Sequence, residues 1–277
     1  MLDSVELLLY FVPASAVLVA LSWSLLKPHP TTLPALFDHT AAPDARGLMW
    51  AAVHLAAHHN ADRVDVAHIA AVLSTQPAMA LELKRCGLTL HDVVQYAAAT
   101  RRPEPPDSDV YTGSAMQLWR RATQKAREQG DKRRIGQAAL LAVVLESETP
   151  LARMLSSAGV QPHHLSSGEP PTGMHFVYTW NDPRTTMEHV SAVLQKQFEL
   201  DHDAALAVTV AAHCSGFAAV GPYALSEAED HIEAATEATF KAGHALCLSL
   251  EEPNIEDWML TRQGLLPPET PRASSWD

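Results

Sequence analysis

An internal duplication constrains the fold of this chain more than any other feature of its 277 residues. Apolar segments with helical spacing recur at a period of roughly 72 residues. The first copy comprises residues 50–58, 64–73 and 80–88, and the second comprises residues 118–126, 135–144 and 151–160. Gly87 and Gly159 fall just after the predicted helix in the last segment of each copy, where a C′ glycine is expected. Residues 36–165, which follow a Pro-rich linker at 28–35, are therefore predicted to form an all-α double repeat with an internal linker at 101–109.

This repeat resembles the N-terminal domain of Clp ATPases, the paired helical module that precedes their AAA+ rings. The resemblance rests on Ile135-Gly136 and Leu140-Leu141 in the second copy and on His68 in the first. Gln137-Ala138-Ala139 departs from the family's usual Thr-Glu-His. The resemblance implies a docking platform for adaptors and substrates. Because the sequence contains no GxxxxGK[ST] phosphate-binding loop, we expect neither ATP hydrolysis nor a cofactor.

An uncharged apolar run, Leu7 to Leu26, is about long enough to cross a bilayer as a helix. A cleavable signal peptide is the competing interpretation, but Asp3 and Glu6 stand where a signal peptide carries basic residues. We therefore predict a single transmembrane anchor within residues 1–27. Lys27, the only flanking positive charge, indicates that the following domains lie in the cytoplasm. We expect the anchor itself to lie in the inner (plasma) membrane.

The sequence pattern changes after residue 165. A linker, residues 166–175, is rich in Pro, Ser and Gly and has no periodicity. Strand and helix patterns then follow in the order βααβαβ, which predicts a small α+β domain over residues 176–252. The predicted elements are strand 176–180, helices 187–198 and 203–214, strand 217–223 broken at Gly221-Pro222, helix 226–241 and strand 246–250. The remaining residues, 253–277, are predicted to form a mostly disordered tail. The whole chain is thus predicted to be a multi-domain protein.

Turn residues mark the candidate site of the α+β domain. Asn181, Asp182 and Pro183 follow its first strand, and a helix is predicted to open at Thr185. Such a turn can hold an amide and a carboxylate toward a ligand, and no metal-ligand or nucleophile pattern lies nearby. A small cationic group such as an amine fits this pair, and an ordinary turn without a ligand is the alternative.

The α+β domain resembles the Clp protease adaptor family, ClpS, over nearly its whole length. The matching positions are Asn181-Asp182, Thr185, Met187-Glu188, Val193-Leu194-Gln195-Lys196, Phe198, Ala211-Ala212-His213, Gly221 and Gly243–Glu251. Members of this family bind the bulky hydrophobic N-terminal residue of a substrate protein and hand that protein to a Clp unfoldase. The resemblance implies that Asn181, Asp182 and His213 hold the α-amino group. The other substrate-binding residues that it implies are Thr185, Met187, Val190, Thr209, Ala212 and Leu246.

Three site residues depart from the family pattern. Pro183 replaces a second acidic residue, which removes one negative charge beside the amine. Thr209 replaces a usual Met and Ala212 a usual Val, so the base of the pocket is expected to be wider and more polar.

The docking residues that the resemblance implies are Ser226, Glu229 and His231. Ser226 and His231 replace a Glu and a Lys of the family pattern, which weakens the case for docking to a separate Clp ATPase. Docking onto the fused helical repeat would offset this loss, because a short tether gives an effective concentration on the order of millimolar.

Charge and metal-binding patterns limit the remaining functions. A net charge of -12 argues against a nucleic-acid partner. His54 and His58 are spaced to bind a metal from one helix face, but the Glu of an HExxH motif is absent. We therefore predict neither a metal site nor an enzyme.

Two hypotheses remain. In the first, the chain is a membrane-tethered adaptor that binds N-terminal degron residues and presents substrates to a Clp AAA+ protease. In the second, it is a non-catalytic scaffold or regulator of Clp ATPase docking that no longer binds such residues. Binding of a peptide that begins with Phe or Leu separates the two.

Overall fold

The computed structural model describes residues 43–61, 63–99, 113–128, 135–162, 172–182 and 184–250. Four predicted segments lie outside these ranges: the membrane span, the linker before the repeat (28–35), the linker within the repeat (101–109) and the tail at 253–277. Among the helices in the described ranges, none is by itself long and apolar enough to cross a membrane.

Seven helices are described before residue 172, and they occur in the same order in both copies of the repeat. The first copy contains α1 (Pro43–His58), α2 (Val66–Leu73), α3 (Pro77–Arg85) and α4 (Leu90–Ala99). The second contains α5 (Gly113–Glu128), α6 (Gln137–Leu145) and α7 (Pro150–Ser157). Helix α4 has no counterpart among the segments that define the period.

The third helix of each copy begins and ends in the same way. Both α3 and α7 carry proline in the first turn, where a missing N–H costs no hydrogen bond. Gly87 and Gly159 then adopt positive φ values of 71° and 86°, which confirms the prediction of a C′ glycine in each copy. The following N–H groups, from Leu88 and Val160, donate back to the last helical turn.

The C-terminal region has the predicted βααβαβ order. Its elements are β1 (Met174–Trp180), α8 (Met187–Gln197), α9 (His202–Ser215), β2 (Phe217–Ala224), α10 (Leu225–Lys241) and β3 (Leu248–Ser249). The three strands form one sheet in the order β2-β1-β3, and both pairings are antiparallel.

Several predicted boundaries were wrong. Strand β1 begins at Met174, inside the predicted linker, and β3 is only two residues long. Helix α8 begins at Met187, as the predicted element 187–198 has it, and not at Thr185, where the turn residues suggested an opening. The Thr186 hydroxyl caps the helix by accepting from the His189 N–H at 3.3 Å.

Strand β2 is continuous through Gly221-Pro222, where a break was predicted. His175 pairs with Tyr223 and Val177 with Val220, so two residues of β2 lie opposite one residue of β1. This is a β-bulge, and it places Gly221 at a φ of 110° and the proline at an irregular point of the ladder. The strand bends at this point instead of ending.

Helix α9 lies at the centre of the molecule, between the helical region and the sheet. Nine consecutive residues, Ala204 to Ala212, are buried, so this helix has no solvent-exposed face over that length. Helices α1 and α4 pack on it from the helical region, and α8, β1 and β2 pack on it from the C-terminal region. The described parts of the two regions belong to one compact unit.

Candidate functional site

One surface pocket lies where β1 ends, α8 begins and α9 passes beneath them. The residues that line it are Trp180, Asn181, Asp182, Thr185, Met187, Val190, Thr209, Ala212 and His213. The pocket encloses about 20 Å³, and about 260 Å³ when the open solvent at its mouth is counted. The structure thus brings together all the predicted substrate-binding residues except Leu246, which is buried outside the lining.

The turn that carries the amide and the carboxylate is held by hydrogen bonds on three sides. Asp182 Oδ1 accepts from the Arg184 N–H at 2.9 Å, and Asp182 Oδ2 accepts from the Thr185 hydroxyl at 2.6 Å. The Asn181 N–H donates to the Gly216 carbonyl at 2.8 Å, which ties the turn to the end of α9. The Ala245 N–H donates to Thr185 Oγ1 at 3.4 Å. These bonds fix the direction of the Asp182 side chain relative to α9 and to the approach to β3.

The mouth of the pocket is polar and carries a negative charge. Asn181 and His213 are exposed, and Asp182 is half-buried. An ionised carboxylate has about four acceptor positions, so the two hydrogen bonds that Asp182 receives leave room for further donors. Burial raises the pKa of the nearby Cys247 thiol, and the negative charge of Asp182 raises it further.

The interior of the pocket is less polar than the sequence suggested. Thr209 is only 2% exposed, and its hydroxyl donates to the Ala205 carbonyl at 2.8 Å within the same helix. The hydroxyl is therefore already hydrogen-bonded, and the base of the pocket is not made polar by it. Val190, Ala212 and Met187 supply apolar walls.

Sequence reasoning gave no part in the pocket to Trp180, which lines it, or to His54, which lies beside it. The Trp180 indole N–H donates to Ser249 Oγ at 2.8 Å, so the ring is fixed against β3 while it lines the pocket. The ring of His54, from α1, lies 6.3 Å from the ring of His213, edge to face at 88°. Alternation along β1 was the available signal for Trp180, whereas His54 approaches the site only through long-range packing.

The predicted docking residues lie on α10 and do not line the pocket. Ser226 and Glu229 are exposed. His231 is half-buried, and its ring centroid lies 5.1 Å from that of Phe198 and 4.8 Å from that of Tyr223. Its packing against these two rings means that only part of this side chain faces a partner.

No group of three or more His, Cys, Asp or Glu side chains suited to a metal occurs in the described residues. The amide, carboxylate and imidazole at the mouth instead offer acceptors to a cation, and the apolar walls accept a hydrophobic group attached to it. The C-terminal region is therefore a small α+β domain whose surface pocket combines hydrogen-bond acceptors at its mouth with apolar walls.

Comparison with known proteins identifies the family of this domain. Residues 170–249 match the family "ATP-dependent Clp protease adaptor protein ClpS". The ClpS adapter of Paracidovorax citrulli is 40% identical over 80 residues, which are 28% of this chain and 66% of that protein. The ClpS adapter of Herminiimonas arsenicoxydans is 33% identical over 82 residues, which are 30% of this chain and 80% of that protein. Through its C-terminal region, the chain belongs to the ClpS adaptor family.

The N-terminal domain of Hsp104 from Candida albicans is a structural neighbour. The superposition covers 47% of this chain and 88% of that domain, at 18% identity and a TM-score of 0.36. An overlap of this size does not establish a fold for the helical region, so the resemblance of that region to Clp N-terminal domains stays a prediction.

Proposed function

We propose that this protein is an adaptor that binds the N-terminal degron residue of substrate proteins and presents those proteins to a Clp AAA+ protease. One observation carries the proposal. The amide, carboxylate and imidazole expected to hold an α-amino group lie around the mouth of one pocket whose interior is apolar. A bulky hydrophobic first residue matches both parts of the pocket, because it has a cationic amine for the mouth and an apolar side chain for the interior.

The amine would be held by acceptors around the mouth. An α-amino group has an ordinary pKa of about 7.7–8.0 and, when protonated, three N–H donors. Asp182, the side-chain oxygen of Asn181 and a neutral ring nitrogen of His213 supply acceptors of suitable number. The hydrogen-bonded turn orients Asp182 before a ligand arrives, which reduces the entropy cost of binding.

A peptide-binding measurement on the full chain tests the amine site. A peptide that begins with Phe and has a free amine should bind, and its N-acetylated form should not. Asp182→Asn removes the charge while Oδ1 can still accept from the Arg184 N–H, so we expect affinity to fall by about tenfold or more. His213→Ala should also weaken binding. Asp230→Asn, at an exposed carboxylate on α10, is the matched control and should bind like the wild type.

The alternative outcomes are distinct. Equal affinity for the free and the acetylated peptide would reject the amine site. If the two peptides bound equally, and a Clp ATPase still co-purified with the wild type and equally well with Asp182→Asn, the scaffold hypothesis would replace the adaptor hypothesis.

Pro183 gives a second test of the site, because the family carries an acidic residue at that position. Restoring the charge with Pro183→Asp should tighten binding of the free-amine peptide and leave the acetylated peptide unbound. No change in affinity would mean that the second carboxylate is dispensable in this protein.

The Clp partner and the membrane tether complete the proposal. The exposed residues Ser226 and Glu229 on α10 are offered as the contact with the ATPase, and residues 7–26 as the tether that keeps the domains at the inner membrane on the cytoplasmic side. Fractionation of cells tests the tether. The full chain should sediment with membranes, and a variant without residues 1–27 should not.

A further inference from the structure

The candidate pocket is built on a helix that both regions of the molecule share. Thr209, Ala212 and His213 line the pocket from α9. Helix α1 of the helical region packs along α9, whose residues Ala204 to Ala212 are buried without a gap. The position of α1 is therefore fixed relative to the pocket by direct packing.

Helix α1 runs antiparallel to α9. Near its start, Gly47 lies against Ser215 at the end of α9, and a Cβ at position 47 would be 2.9 Å from Ser215 Cα. Just after its end, His59 Nε2 lies 3.8 Å from Asp203 Oδ1 at the start of α9. Between these two contacts, α1 passes the end of α9 that carries His213.

His54 of α1 contacts the pocket residue His213. Its half-buried ring meets the exposed His213 ring edge to face, with 6.3 Å between the centroids. An extended peptide advances about 3.3–3.6 Å per residue, so a side chain in ring contact with His213 lies within reach of the residue that follows an α-amino group bound there.

We propose that the peptide site is composite: the helical region contributes His54 as a positioning and specificity residue for the second residue of the bound chain. This inference rests on the proposed function, since it places the α-amino group at Asn181, Asp182 and His213. The first residue is then selected by the apolar pocket of the adaptor region. The second residue is selected at the border of α1 and α9, by a side chain that the adaptor region does not contain.

A charge scan at position 54 tests the proposal on the full chain. Three free-amine peptides that begin Phe-Glu, Phe-Ala and Phe-Lys are titrated against the wild type, His54→Glu and His54→Lys. A charge that faces the second residue should favour the opposite charge on the peptide. We expect His54→Lys to raise the affinity for Phe-Glu relative to Phe-Lys by about two- to fivefold, and His54→Glu to shift the ratio by a similar factor in the other direction.

The chain supplies a matched control. Gln124 occupies in α5 the place that His54 occupies in α1, and it is exposed on the copy of the repeat that does not contain His54. Gln124→Glu and Gln124→Lys change the net charge in the same way and should leave the second-residue ratio unchanged. Thermal unfolding of each variant shows whether the fold is kept.

The two levels of the proposal fail differently. If the Phe-Ala peptide binds and acetylation abolishes binding, but the ratio is the same for both charges at position 54, the composite site is rejected and the adaptor function stands. If the charges at positions 54 and 124 shift the ratio equally, the effect is one of net charge and the composite site is also rejected. If no free-amine peptide binds the wild type, the adaptor function falls and the composite site falls with it.

Discussion

The two helices that open the copies of the repeat, α1 and α5, are both 16 residues long and share one buried face. At equivalent places the buried pairs are Ala45 and Ala115, Leu48 and Leu118, Met49 and Trp119, and Ala52 and Ala122. Their spacing of three and four residues is the core stripe of an amphipathic helix. Each helix uses this stripe to pack within its own copy.

The other faces of the two helices differ. In α5, Gln117, Arg120 and Arg121 are exposed, in keeping with the solvated basic face that the sequence suggests. The equivalent residues of α1 are Gly47, Trp50 and Ala51, of which the glycine and the alanine are buried. Gly47 in place of Gln117 and Ala51 in place of Arg121 are small enough to let α9 approach α1 closely. Helix α1 thus packs against α9 through a face whose counterpart in α5 is exposed to solvent.

The largest effect is expected from giving α1 the charge that α5 carries. Ala51 is 0% exposed and lies one turn after Gly47, so Ala51→Arg would place a cation without a partner between packed helices. We expect the free energy of unfolding to fall by about 3–5 kcal/mol, measured by urea denaturation.

The matched control is Arg121→Ala in α5, which changes an exposed residue and should alter stability by less than about 0.5 kcal/mol. A loss of under about 1 kcal/mol for Ala51→Arg would mean that this side of α1 is open to water.

A pH effect should distinguish the two copies at their second helices. Asp65 caps α2, and His68 completes a capping box by accepting from the Asp65 N–H at 3.0 Å, whereas α6 begins at Gly136 without a side-chain cap. Burial, with a smaller contribution from the charge of His59, lowers the pKa of His68 from 6.5 to about 4. Because the unfolded chain takes up this proton first, the stability that depends on neutral His68 is present above pH 6.5 and is lost as the pH falls toward 4.

His68→Gln removes this titration and keeps a side-chain acceptor that can complete the box. Between pH 7 and pH 4, we expect the unfolding free energy of the wild type to fall by about 3 kcal/mol more than that of His68→Gln. Parallel stability curves for the two proteins would show that His68 does not resist protonation in the fold.

A smaller effect is expected at the closest approach of α1 and α9. In Gly47→Ala the new methyl group would lie 2.9 Å from Ser215 Cα and 3.0 Å from the Cys214 carbonyl oxygen, so the helices must separate. We expect a loss of about 1–3 kcal/mol in unfolding free energy, of which Ser215→Gly in the same chain recovers only part because backbone atoms remain in the way.

Gln117→Ala, at the equivalent exposed place in α5, should be close to neutral. If Gly47→Ala were equally neutral, α1 and α9 would be less closely packed than the structure shows.

The local features of this protein could be predicted from its sequence. Asn181 and Asp182 are turn formers, so the site turn and its hydrogen bonds to Arg184 and Thr185 follow from nearby residues. The βααβαβ order and the glycines that end α3 and α7 are equally local, because each depends on residues within a few positions of one another.

The features that were missed depend on contacts between distant residues. The sequence shows that α9 is very apolar, but not that α1 covers it, because that contact joins Gly47 to Ser215 across most of the chain. The glycine within α1 was the available signal, since a glycine inside a helix commonly marks a close approach. The bulge at Gly221-Pro222 was read as a break, since only its pairing with β1 shows that the strand continues.

The Ala219 N–H at the outer side of β2 donates to the Thr75 carbonyl of the helical region at 3.0 Å. An extended polypeptide joins a sheet by adding a strand at a free edge. In the described part of the chain, the β2 edge is covered in this way, and β3 offers only two residues at the opposite edge. Strand addition is thereby disfavoured on both sides of the sheet. Recognition of a terminus, as proposed above, needs no free edge. A terminus is the same chemical group in every protein, so a receptor that bound it would sort clients that share nothing beyond their first residues.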